Sequence, residues 1–182
     1  MEKSNKLNTK YKNILIAGGS GLLGSNLSLE FSKNLSKYRV FSSYNKNKIK
    51  IKNVRSIRCN FENLSESEIL IRSIKPHIVV NTIALANVED CEQDPKLAKR
   101  INTDIAKNLS KLSIKYNFKL VHISTDQLFK GTKKKYSETS STYPLNTYAK
   151  TKLEAEKIIK KTLNKYIIIR TNFYGWGTQF KS

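Results

Sequence analysis

Side chains that hold metals or form disulfides are scarce in this chain: its 182 residues include two cysteines and two histidines. Cys59 and Cys91 lie far apart and lack metal-ligand spacing, so no metal centre is expected. Two thiols without a secretory leader fit a reducing compartment rather than a disulfide-stapled secreted domain. Proline is sparse too, at three residues, and neither repeats nor low-complexity tracts occur. No apolar run approaches the length of a bilayer span, and the opening MEKSNKLNTKYK lacks the apolar stretch of a signal peptide. The expectation is a soluble, cytoplasmic protein with no membrane partner.

Acidic residues are the other deficit. Asp and Glu number 14 against 34 Lys and Arg, a formal net charge of +20. Such an excess suits a nucleic-acid or anionic-membrane partner when it is gathered on one arm. Here the lysines are spread through every predicted element, many beside Asn and Ile, so no nucleic-acid partner is expected. A general attraction for anions, nucleotide phosphates included, follows either way. The length suffices for one good core and is short for two full domains.

What is present is an alternation of strands and helices. Tyr11–Ala17 (YKNILIA) is a short apolar strand. Gly18, Gly19, Ser20, Gly21, Leu22, Leu23 and Gly24 follow, then a helix with Leu23, Leu27 and Phe31 on one face. Strand, glycine turn and helix in that order are what a dinucleotide-binding turn requires. Gly18 permits the tight turn, Gly21 lets the backbone approach a pyrophosphate, and Gly24 allows close helix–strand packing. Free N–H groups at the helix start favour phosphate. The spacing is GxxGxxG rather than GxGxxG, and a glycine-rich connector with no ligand is the plain alternative.

The next strand, Tyr38–Ser43, ends in Ser42, Ser43, Tyr44, Asn45 and Lys46. A site preferring NAD usually places Asp or Glu here for the ribose 2′-OH. A small hydroxyl followed by lysines accommodates a 2′-phosphate better, which favours NADP(H) and leaves NAD(H) open.

A third strand, Val54–Arg58, leads to Cys59, Asn60 and Phe61, which could flank an adenine ring. Ser65, with Glu68 three residues on, reads as a capping box for a helix to Ile74 that Pro76 closes. A buried strand, His77–Asn81, gives way to a loop and short turn from Leu85 to Glu92. A long helix then runs from Pro95 to about Tyr116, with Asn102 beside its apolar stripe. The following strand ends in Ser124, Thr125 and Asp126, at the edge where open α/β sheets bind ligands. After a basic loop around Gly131, a helix to about Leu163 carries Tyr148 and Lys152 on one face. His77 and His122 both read as structural. Strands at 12–17, 38–43, 54–58, 77–81, 119–123 and 165–170 predict an α/β, Rossmann-type, doubly wound and mostly parallel sheet with helices on both faces.

On its own, a Tyr-x-x-x-Lys pair in a lysine-rich chain is an aromatic beside a solvated cation. In this fold the glycine turn, Ser124 with Thr125, and the pair share one sheet edge. Together they suit hydride transfer at a carbonyl or carbinol carbon. Tyr148 would protonate the alkoxide, Thr125 would polarise the same oxygen, and Lys152 would lower the tyrosine pKa.

Five stretches carry a resemblance: GGSGLLG, HIVVNTIALANVEDCE with Asn102 and Thr103 after it, HISTDQLFKG, YSETSSTYPLNTYAKTKLEAE and RTNFYGWG. Through practically its whole length the chain resembles the dTDP-4-dehydrorhamnose reductase family of the extended short-chain dehydrogenase/reductases. The resemblance implies Thr125, Tyr148 and Lys152 as catalytic, the last two also meeting the cofactor, with Ser124 shaping the nicotinamide site. Gly18, Ser20, Gly21, Leu22, Leu23 and Gly24 would cradle the pyrophosphate, and Ser43 and Lys46 would lie near the adenosine ribose. Asn60 and Phe61 would meet the adenine, Ala84 and Leu85 the diphosphate and nicotinamide side, and Asn102 would brace Lys152. Leu85 and Ala86 stand where members often carry Tyr-Thr, and Asn60 where an acidic residue is usual.

The activity so implied is NADP(H)-dependent reduction of the 4-keto group of a nucleotide-linked deoxysugar, serving polysaccharide synthesis. Members continue into a C-terminal substrate domain. Residues 1–10 are therefore expected to be a polar tail, 11–177 the NAD(P)-binding domain and 178–182 the truncated start of a substrate-binding region. With that domain missing, turnover by this chain is expected to be weak or absent. Two alternatives keep the fold: a nucleotide-sugar epimerase or dehydratase, and a non-enzymatic cofactor-binding regulatory subunit. The helices at 95–116 and 147–163 could pair two chains in a homodimer, though nothing in the sequence requires it.

Overall fold

A computed structural model describes residues 11–132 and 135–175. Six strands form one parallel sheet: β1 (Lys12–Ala17), β2 (Tyr38–Tyr44), β3 (Val54–Arg58), β4 (Ile78–Asn81), β5 (Lys119–Ser124) and β6 (Tyr166–Arg170). Their order is β3-β2-β1-β4-β5-β6. The chain winds outward from β1 in one direction, then restarts at β4 on its other side. That reversal opens a crevice at the C-terminal ends of β1 and β4. The helices are α1 (Leu22–Ser32), α2 (Leu64–Ile74), α3 (Val88–Gln93), α4 (Pro95–Lys99), α5 (Ile105–Tyr116) and α6 (Thr147–Thr162).

Alternation along the strands sorts two cores. Ile14 and Ile16 of β1 join Val40, Val80 and Ile123 beneath Leu23, Leu27 and Phe31 of α1. Leu15, Ala17, Val79 and Leu120 point the other way, under Leu70 and Ile71 of α2, Leu109 of α5 and Ile159 of α6. Helices thus cover both faces, as the alternation of elements predicts. Among the described residues no helix is long and apolar enough to cross a membrane.

Several boundaries differ from the sequence reading. The capping box expected at Ser65 and Glu68 does not form; Asn63 caps α2 two residues earlier, its Oδ1 accepting from Glu66 N at 3.2 Å, while the Glu66 carboxylate takes Asn60 N. Asn is as good a cap as Ser, its short amide reaching the first-turn N–H groups, so the earlier position can start the helix. Glu68 instead takes hydrogen bonds from Lys115 and Tyr116 of α5. His77 falls outside β4 and accepts from Asn13 N at 3.0 Å. The stretch read as a loop and short turn before Pro95 contains α3, capped by Asn87. The long helix at 95–116 is interrupted by a π turn at Arg100–Asp104, between α4 and α5. Such a turn advances the chain by an extra residue and lets consecutive side chains face inward; here those are Asn102 and Thr103, both buried. The expected tail at 1–10, the segment 178–182 and the last two residues of the domain at 176–177 lie outside the described residues.

Candidate functional site

The chain leaves β1 at Ala17 and enters α1 at Leu22, so it must reverse within four residues. Gly18 makes this possible with a φ of +88°, in the left-handed region that glycine tolerates best. The turn is pinned from both sides. Thr82, just after β4, donates its hydroxyl to the Ala17 carbonyl at 2.8 Å. From β2, the Ser43 carbonyl accepts from Gly19 N at 2.7 Å. A Cβ on Gly24 would strike the Gly18 carbonyl, and one on Gly19 would strike Ser42. Gly21 differs, since a Cβ there would meet only the Gly18 carbonyl at ordinary contact, 3.4 Å. Gly21 also starts α1 without a side-chain cap, which leaves first-turn N–H groups for an anion.

Beside the turn opens a cleft of about 260 Å³. It brings together Gly18, Ser20 and Gly21 with Ser43 at the end of β2, Asn60 and Phe61 after β3, and Ala84 after β4. Tyr44, Asn45 and Thr82 line it as well. The sequence assigned these three no role; a polar residue directly after a strand end was the one signal for Thr82. Leu22, Leu23 and Gly24 form the adjoining start of α1. Lys46 is exposed and is not part of the cleft wall. Ser43 is buried, its hydroxyl accepting from Gly18 N at 3.2 Å and lying 3.3 Å from the Ile16 carbonyl, so it braces the glycine turn. Asn60 is held by its own loop, its N–H on Glu66 and its Oδ1 accepting from Glu62 N. Burial pushes the Cys59 thiol up to about 12, so it is an inert part of the wall.

Thr125 and Tyr148 meet at the C-terminal end of β5. Thr125 is buried and accepts from Gln127 N at 3.2 Å, and its hydroxyl pulls the Tyr148 phenol down against the upward effect of burial. Tyr148 sits in the first turn of α6, whose start is fixed three ways. Asn146 caps it, accepting from Ala149 N at 2.7 Å, and reaches Gln127 with its amide nitrogen. Glu92 of α3 takes both the Thr147 N–H and hydroxyl, at 2.6 and 2.9 Å.

Lys152 departs from its expected role. The Tyr148 phenol is raised, by burial first, with the Thr125 hydroxyl pulling the other way. The physical reason is where Nζ goes. It donates to the Ile123 carbonyl at 2.6 Å and approaches His122 Nε2 at 3.4 Å, and the whole residue is 2% exposed. Burial lowers the lysine to about 8, against an upward pull from Glu156.

Asn102 does not touch Lys152 either. Its Oδ1 accepts from Leu85 N at 2.8 Å, and its Nδ2 donates to the Leu85 carbonyl and to Thr151 Oγ1, both at 3.1 Å. It therefore braces α6 at the residue before the lysine and fixes the Leu85 backbone, and Leu85 is not among the residues of the cleft wall. Ser124 Oγ is buried near the Glu156 carboxylate without a well-formed partner of its own among the described residues. Glu156 and Arg170, which pair in the core, were not singled out from the sequence; a charged residue one turn beyond Lys152 gave no signal of burial.

The family profile described as "RmlD substrate binding domain" matches residues 12–179. The dTDP-4-dehydrorhamnose reductase of Salmonella typhimurium is 35% identical over 60% of this chain and 38% of its own length. Methionine adenosyltransferase 2 subunit beta of Bos taurus is 30% identical over 93% of this chain and 49% of its own. A crystal structure of dTDP-4-dehydrorhamnose reductase from Bacillus anthracis in complex with NADP superposes with a TM-score of 0.76, at 28% identity, over 90% of this chain and 54% of that one. The chain thus spans about half the length, or less, of the curated relatives it matches. With the profile running from β1 past β6, the chain belongs to the RmlD substrate-binding-domain family, that of dTDP-4-dehydrorhamnose reductase, within the extended short-chain dehydrogenase/reductases.

Proposed function

We propose that this chain binds NADP(H), with NAD(H) as a second choice, and serves the reduction of the 4-keto group of a nucleotide-linked deoxysugar. The cleft fits the cofactor: Gly21 leaves its outer side open, and the uncapped start of α1 suits a pyrophosphate. Ser20 and Gly21 would hold the pyrophosphate, Asn60 and Phe61 the adenine, and Ala84 the nicotinamide side. When bound, the nicotinamide supplies the hydride. Tyr148 gives the proton to the developing alkoxide, and Thr125 orients the phenol and the reacting oxygen through its hydroxyl. Lys152 supplies positive charge one helical turn away. The observation that carries this reading is the joining of the α6 start to the turn after β5, Asn146 donating to Gln127 at 3.1 Å, which sets Tyr148 beside Thr125 at the C-terminal edge of the sheet. The Bacillus anthracis reductase, solved with NADP, supports the choice of cofactor. Two buried thiols, Cys59 and Cys91, fit a cytoplasmic setting.

The test follows NADPH consumption with a dTDP-linked 4-keto-deoxysugar. Tyr148→Phe is expected to lower kcat by about 10²- to 10⁴-fold with little change in KM. Unchanged turnover in that variant overturns the assignment. A second reading, a cofactor-binding subunit without turnover, is favoured by the relative that spans 93% of this chain and is named as a subunit of another enzyme. NADPH binding with no consumption at any sugar concentration would select it.

A further inference from the structure

His122 is wholly buried in β5, and its surroundings fix which ring nitrogen carries the proton. A backbone N–H can only donate, and that of Ile83 donates to Asn81 Oδ1 at 3.1 Å. The other arm of the Asn81 amide is therefore its NH2 group. That nitrogen lies 3.1 Å from His122 Nδ1, so Nδ1 accepts. A neutral imidazole accepting at Nδ1 carries its proton on Nε2. Burial first, and the nearby lysine charge second, hold the ring far below its ordinary pKa, so it stays neutral. Its Nε2–H then faces Lys152 Nζ at 3.4 Å. A neutral amine can accept that hydrogen on its lone pair. An ammonium has no lone pair, and sets two donors face to face.

We propose that His122 is a positioning residue for Lys152: fixed by Asn81 as its Nε2–H tautomer, it opposes the ammonium form of the lysine at the inner site on the Ile123 carbonyl. Few other groups contend for that charge. Glu156, one turn along α6, favours the ammonium, but Arg170 from β6 takes both its oxygens. Tyr148 lies on the same helix, one turn the other way, and Asn102 and Thr103 of the π turn bring only neutral groups. The chain Ile83, Asn81, His122, Lys152 thus runs from the loop beside the cleft to the proposed cofactor-holding lysine. It ties the lysine's protonation to a hydrogen-bond polarity set by the backbone after β4. Its consequence for cofactor binding rests on the function proposed above; the tautomer does not.

Two measurements on the full chain test it. The first is a long-range ¹H–¹⁵N spectrum, which distinguishes imidazole tautomers. The chain has two histidines, and a His77→Gln variant assigns them. The expected result is His122 as a neutral Nε2–H ring at neutral pH; an Nδ1–H ring or an imidazolium overturns the inference. The second is an NADPH fluorescence titration at stepped pH, comparing the wild type with His122→Gln. A glutamine can turn its amide oxygen to the ammonium, so the pH above which binding weakens is expected to rise by about one unit. A wild type that binds NADPH with a midpoint unmoved in the variant overturns the inference. A wild type that binds no NADPH overturns the proposed function instead, and the spectrum then decides the tautomer alone.

Discussion

Asn102 donates through Nδ2 to Thr151 Oγ1 at 3.1 Å, joining the π turn to the helix that carries Tyr148 and Lys152. Thr151 passes the contact on, its hydroxyl donating to the Tyr148 carbonyl at 2.8 Å, while Thr103 donates to the Thr151 carbonyl at 2.9 Å. Because Asn102 also grips both polar groups of the Leu85 backbone, one amide locks the loop after β4 to the helix of the proposed proton donor.

Asn102→Leu strips the Leu85 N–H of its buried partner and leaves the Leu85 carbonyl only the weak Cys91 thiol. Urea unfolding is expected to show a loss of about 3 kcal/mol. Thr151→Val removes a single hydroxyl and costs about 1 kcal/mol. Since the two share a hydrogen bond, the double variant loses less than the sum. Strict additivity would show that the contact does not couple them.

The Glu156–Arg170 pair predicts an acid limit. Arg170 Nε and Nη2 donate to the Glu156 carboxylate at 2.9 and 2.7 Å, with Glu156 wholly buried. Burial alone would raise the carboxyl, but the hydrogen bonds from Arg170, the nearby Ser124 hydroxyl and the charges of Arg170 and Lys160 bring it below 4.5. A carboxyl lowered on folding gives stability above its unfolded pKa and loses it as pH falls through the folded one. Arg170→Met leaves the buried Glu156 carboxylate with only the 3.3 Å pairing to the half-exposed Lys160 and is expected to cost about 3 kcal/mol at neutral pH. Glu156→Gln should remove most of the steepening below pH 4.5 in an acid-unfolding series. An unaltered acid profile in that variant would contradict the pairing.

Lys152 predicts a slope of the same sign at high pH. It falls from 10.5 to about 8 on burial. Below about 8 both folded and unfolded chains hold the proton, and the folded state bears the cost of an ammonium in the core. Between about 8 and 10.5 the unfolded chain binds more protons, so this residue makes stability rise with pH. The contribution is about 3 kcal/mol at most. Cys59, raised from 9.0 to about 12, acts in the reverse sense above pH 9.0, so the comparison is made at each pH with Lys152→Met. The gap between the two proteins should change by that amount across the window. A constant gap would show that the lysine is not destabilised in its charged form.

Gly24→Ala tests the glycine turn. The added methyl meets the Gly18 carbonyl, which the neighbouring strands hold in place. Overpacking of this kind costs about 1–3 kcal/mol and displaces α1 from the turn. Loss of stability by calorimetry is expected, together with weakened NADPH binding. Gly21→Ala, which meets only an ordinary contact, should leave stability nearly unchanged.

Much of this was readable from the residues because the signals were local. All six strands follow from apolar runs bounded by turn residues, and Gly18–Gly24 announces its turn through spacing. Thr125 and Tyr148 were named from motif and fold together, and the structure places both at the C-terminal end of β5, one just after the strand and one in the first turn of α6. Properties that depend on where a long side chain ends were not readable. Nothing local shows that Lys152 folds inward to Ile123 rather than outward to Tyr148, or that His122 waits there. The π turn was equally hidden, since one extra residue per turn leaves the apolar periodicity of 95–116 almost unchanged. Ser43 was placed by strand position, but the direction of its hydroxyl is set by Gly18 N, a tertiary contact.

The most direct measurement of the central claim is a fluorescence titration of NADPH with the full chain. The account predicts a saturable change, reversed by NADP⁺ and weakened in Gly24→Ala, which closes the turn against itself. No saturable change up to about 1 mM NADPH, the upper end of ordinary cofactor affinities, would contradict it.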